Sequence, residues 1–112
     1  MNASARQARR TIRNRTRSQR AASRIARRGN GSLTTHCIAA GLAPKEARTV
    51  ASSLRKAAVK LDIHGTAART HAAGRMRDCL RYTATEVARA AVVYRPRKAA
   101  YKDAAARLAL AA

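Results

Sequence analysis

Apolar positions in this chain recur every three and four residues over most of its length, the spacing of helices that bury one stripe. Residues 4–28 read as a first helix, with Ala8, Ile12, Gln19, Ala22 and Ala26 on the face turned to the rest of the chain. Gly29-Asn30-Gly31 interrupts it and offers backbone positions with positive φ, a hinge between an arm and a body. Ser32 is placed to cap a short helix over 33–40 with Leu33, Cys37 and Ala40 inward and Gly41 closing it. Pro44 suits the first position of a third helix over 44–63, whose stripe is Ala47, Val50, Ala51, Leu54, Ala58 and Leu61, ended by Gly65. Its opposite face carries Lys45, Thr49, Ser52, Ser53, Lys56 and Lys60.

Thr66 then reads as the cap of a long fourth helix, in which Ala68, Ala72, Met76, Cys79, Thr83, Val87, Ala90 and Tyr94 hold the helical period and Arg77, Arg81 and Arg89 lie off the stripe. Pro96 starts a fifth helix with Tyr101, Ala104 and Leu108 inward. The expectation is an all-α fold, a small bundle of about four helices over 32–112 preceded by a long Arg-rich helix over 1–28, with 29–31 as hinge. Burial capacity is small. Leu, Ile and Val number sixteen, Phe and Trp are absent, and alanine supplies helix propensity in place of core volume.

Charge adds what the apolar pattern lacks. Arg6, Arg10, Arg13, Arg17, Arg20, Arg24 and Arg27 follow at alternate steps of four and three, so a helix lines them along one face. Ten arginines and no acid occupy residues 1–28, and the remaining fifteen bases and five acids give each part +10 of the net +20. A row of like charges is unfavourable in an isolated helix, by a few tenths of a kcal/mol per pair. A polyanion relieves it. Guanidinium forks match phosphates, and counterion release favours a nucleic-acid backbone as the partner.

Residues 33–52 resemble a helix-turn-helix: Gly41 at the turn, Cys37 four residues before it, Leu42 after it, and Ala47 and Val50 inward on the second helix. The resemblance implies that Lys45, Arg48 and Thr49 face the major groove. His36 departs from the apolar residue usual at its position. At the level of assembly, the helix count, basic faces and thin core from Ser32 to Ala112 resemble the small helical subunits of CRISPR effector complexes, which hold nucleic acid without catalysis; the arginine arm departs from that pattern.

Other chemistry finds little footing. The acids Asp62, Asp78, Glu86 and Asp103 are scattered among bases, His36, His64 and His71 lack ligand spacing, and no GxSxG or phosphate-cradling glycine loop occurs, so no enzyme, cofactor or small-molecule substrate is expected. Cys37 and Cys79 read as reduced thiols of a cytoplasmic protein, and no zinc site with His36 and His71 is expected. No apolar run is long enough to span a membrane, and residues 1–28 have neither the apolar centre of a secretory signal nor the large apolar anchors of a membrane-surface helix. Tyr82, Tyr94 and Tyr101 fall within the helical pattern and form no stacking platform.

The functional expectation is a non-catalytic subunit of a ribonucleoprotein, bound to larger protein subunits. It holds RNA, or a guide–target strand, by its backbone with low sequence specificity. The binding residues expected are the seven arginines of the row with Lys45, Arg48, Lys56, Lys60, Arg77, Arg81 and Arg89. The alternative is a DNA-binding helix-turn-helix regulator of phage or plasmid type, favoured if the charge concentrates at 44–49.

Overall fold

The computed structural model describes residues 2–111. Helices α1 (Ala3–Arg28), α2 (Leu33–Ala39) and α3 (Pro44–Lys60) are followed by strands β1 (Thr66–Ala72) and β2 (Arg75–Arg81), then helices α4 (Ala84–Val93) and α5 (Ala99–Leu110). The fold is largely helical but not all-α. The long fourth helix expected over 66–94 is instead an antiparallel hairpin followed by a short helix, which moves Arg77 and Arg81 from a helix face to a strand.

Two local signals make the hairpin. Ala73 and Gly74 both take positive φ, 52° and 79°, at the two-residue turn, as a twist-matched hairpin turn requires. Thr83 then opens α4 with a reciprocal capping box: its hydroxyl accepts from the Glu86 amide at 3.2 Å, and Glu86 Oε1 accepts from the Thr83 amide at 2.9 Å. The T-x-x-E pattern marks a helix start, which the periodic reading ran through.

The core lies where α2, α3, α4 and α5 meet, around Leu54, Val50, Val87 and Cys37, the largest fully buried side chains. Alanines fill most of the rest, so the helices approach closely but bury little apolar area each. The accessible surface is 7664 Å², against roughly 6,000 Å² for a compact monomer of this mass. Two features account for the excess: an overhanging α1 and a hairpin whose main packing is strand on strand.

α1 docks on α2, but not by the stripe expected for it. Ala21 is its only buried residue among those described, with Asn14, Ser18 and Ile25 half-buried beside it, and Ile12 is 61% exposed. The seam is small and polar, and the Ser18 hydroxyl donates to the Ile38 carbonyl at 2.8 Å. The docked seam thus runs along Asn14, Ser18, Ala21 and Ile25 in place of Ala8, Ile12, Gln19, Ala22 and Ala26. Gly29 closes α1 at φ 81°, its amide donating to Ile25 O at 2.8 Å.

Candidate nucleic-acid interface

The α1 arginines stand in the open. Arg6, Arg10, Arg13, Arg17, Arg20, Arg24 and Arg27 are all exposed, as are Arg9, Arg15 and Arg28, and among the described residues none pairs with a carboxylate. From Arg6 to Arg27 the row spans roughly 32 Å at the rise of an α-helix. Because the docked seam lies off this row, packing on α2 leaves the row free. The described part of α1 before Asn14 has only Ala5 even half-buried, so Arg6, Arg9, Arg10 and Arg13 overhang the body.

A second cationic face lies on α3. Lys45, Arg48, Thr49, Ser52, Arg55, Lys56 and Lys60 are exposed at helical spacing, while Ala47, Val50, Ala51, Leu54, Ala57 and Ala58 are buried on the other side. No carboxylate interrupts the outer face, since Glu46 sits half-buried on its edge. Arg55 was missed in the sequence reading. It continues the positions of Arg48 and Ser52 by seven and three residues, a signal already present in the period of the helix.

The unit from 33 to 52 is packed at every inward position that the helix-turn-helix resemblance names. Cys37, Leu42, Ala47 and Val50 are buried, and Gly41 turns at φ 106°. His36, the position that departs from the pattern, is 4% exposed. Its Nε2 lies 2.7 Å from the Tyr82 carbonyl, and because a carbonyl only accepts, Nε2 carries the proton. The same carbonyl accepts from the Gly31 amide at 3.0 Å, and Gly31 O accepts from the Tyr82 amide at 2.7 Å. The segment expected to be a hinge therefore forms a one-residue β-bridge that ties α2 to the base of the hairpin.

This arrangement gives stability a pH dependence. Burial lowers the His36 pKa from the ordinary 6.5, against smaller opposing effects of the Tyr82 hydrogen bond and the Glu86 charge. Between the folded and unfolded values the unfolded chain binds more protons, so stability rises with pH there. The stabilisation is complete above about 6.5 and falls as pH drops through the folded pKa. Thermal midpoints measured from pH 7.5 down to 5 should decline, and His36→Gln, which keeps a donor but does not titrate, should flatten that decline.

The remaining sequence candidates separate. Lys56 and Lys60 belong to the α3 face, Arg77 and Arg81 to β2, and exposed Arg89 to α4. The Cys37 thiol is pushed up to about 12 by burial and stays protonated. Among the described residues no three His, Cys, Asp or Glu side chains gather where a metal ion would be held, and no helix is long and apolar enough to cross a membrane. Against this geometry, neither family models, nor curated proteins, nor solved structures give a match to the chain.

Proposed function

We propose that this protein is a non-catalytic nucleic-acid-binding protein that docks on duplex DNA, with α2 and α3 as a helix-turn-helix and the outer face of α3 in the major groove. One observation carries this reading: every inward position of the unit is buried, including His36 through its bond to Tyr82, while α3 presents an exposed face of cations and hydroxyls without a carboxylate. Lys45, Arg48 and Thr49, at the N-terminal end of α3, are the base-edge contacts. The α1 row supplies phosphate contacts that strengthen binding to any sequence.

The ribonucleoprotein reading is kept as a second proposal, because the exposed cations spread over α1, the whole of α3 and β2 and do not concentrate at 44–49, the distribution expected for it. The α1 row is longer than a helix-turn-helix needs, and its seven exposed arginines suit the backbone of RNA held within an assembly of larger subunits. The likeness to CRISPR small subunits belongs to this second reading.

Two triple variants separate the proposals, measured on a duplex selected from a random pool and on its scrambled counterpart. Replacing Lys45, Arg48 and Thr49 with Ala should abolish the preference for the selected duplex, at about 1–3 kcal/mol per lost base contact, and largely spare scrambled DNA. Replacing Arg13, Arg17 and Arg20 with Gln should weaken both duplexes and reduce the log–log salt slope by about 2.7. An unchanged ratio of selected to scrambled binding in the α3 variant would sink the DNA-reading proposal.

A further inference from the structure

The β1–β2 hairpin packs mainly strand on strand and adds little to the helical core. An isolated two-stranded hairpin is marginal in water, and this one exposes Met76 and Leu80 and, among the residues whose burial is described, is half-buried only near its base, at Ala68, Cys79 and Arg81. That base is nevertheless fixed, because Tyr82, the next residue after β2, is bonded to both Gly31 and His36. The hairpin is therefore anchored to the helix-turn-helix at one end and free at the other.

Its two faces differ in charge. The register pairs Thr66 with Arg81, Ala68 with Cys79, and Thr70 with Arg77, so alternation places Arg75, Arg77 and Arg81 on one face with the threonines. The single carboxylate, Asp78, lies on the other face, where its cross-strand partner Arg69 sits 3.7 Å away. One face thus carries three arginines without an acid, and the other is balanced. A groove at the hairpin base is lined by Ala68 and Cys79 of the arginine face and by Ala67, Asp78 and Leu80 of the other, together with Leu33 of α2 and Arg55 of α3. Along β2, Arg75 and Arg77 are about 6.8 Å apart at the rise of an antiparallel strand.

We infer that the hairpin is a second contact to duplex DNA, its Arg75 and Arg77 holding phosphates of a strand beside the groove that α3 enters. This rests on the DNA-docking reading above. Arginines on a free strand also deter edge-to-edge pairing between copies, but that role does not require the acid to be segregated to one face.

The test uses the whole protein and a random-sequence DNA duplex, titrated over a range of salt. Arg75→Gln with Arg77→Gln should reduce the log–log salt slope by about 1.8 and weaken binding about tenfold at low salt. Arg97→Gln with Lys102→Gln, which removes the same charge from exposed positions on α5 and just before it, should leave the slope within error. Arg75→Lys with Arg77→Lys should restore most of it, and circular dichroism should show all three folded. Equal slopes for the two Gln pairs would overturn the inference and leave the α3 reading standing. Failure of the unaltered protein to bind duplex DNA at all would instead remove the underlying reading, and the inference with it.

Discussion

Leu54→Ala should lower the stability of the fold by about 3–5 kcal/mol, the range for emptying a fully buried leucine site. Leu54 has no exposed surface and stands at the centre of a core otherwise built largely from alanine. Alanine side chains cannot swing into the space, so little of the cavity collapses. Against a total of about 5–15 kcal/mol for a folded domain, the loss leaves a substantial unfolded fraction at physiological temperature. Urea unfolding followed by circular dichroism gives the value, and a loss below about 1 kcal/mol would mean that the core is not centred on this residue. On the DNA-docking proposal, added duplex should recover part of the loss by mass action, to the extent that the folded state binds it more tightly than the unfolded chain of net charge +20 does.

Gly65→Val should cost about 2–5 kcal/mol by a different route. Gly65 has φ 69°, and a Cβ placed there would lie 2.9 Å from Arg81 O and 2.9 Å from Tyr82 Cε1. Left-handed backbone costs a β-branched residue about 1–2 kcal/mol or more, and overpacking adds about 1–3 kcal/mol. Relief of the clash moves Tyr82, whose carbonyl holds both Gly31 and His36. The hairpin base should loosen first. Amide exchange at Gly31 and Tyr82 would report it, and unchanged protection there would contradict the proposed anchor.

How far the sequence carried the fold depended on whether a residue type admits one structure or several. Pro44, Ser32 and Gly41 admit few, and α2 and the start of α3 fall where those residues place them, whereas α3 stops at Lys60, short of the expected 63, with Asp62 at φ 59°. The stretch 66–81 does not constrain itself in that way. Alanines at 67 and 68 fit a helical and a strand period equally, and the turn uses Ala73 at positive φ, where asparagine would have announced it. Signals were present: Gly65 and Gly74 bracket β1, and arginine alternates with Met76 and Leu80 in β2. The rotation of α1 was not legible, because its seam mixes Asn14, Ser18, Ala21 and Ile25, with a hydrogen bond from Ser18 to a distant carbonyl, and follows no apolar stripe. For the site, the α3 face was readable at Lys45, Lys56 and Lys60 from helical period, while Arg48 entered through the helix-turn-helix resemblance. Arg75 joined the candidates only when residues 75–81 became a strand with two faces. His36 illustrates the limit most plainly: its departure from an apolar position makes sense only with Tyr82, 46 residues away, as its acceptor.

On the proposed function, α3 reads duplex DNA while the arginines of α1 hold its backbone. Selection of binding sites from a pool of random duplexes, with competition by single-stranded RNA at the same salt, tests it most directly. The account predicts an enriched duplex motif bound on the order of a thousandfold tighter than random duplex, with RNA held no tighter than random duplex. A pool that yields no motif, with RNA bound as tightly as any duplex or more so, would contradict it and favour the ribonucleoprotein subunit.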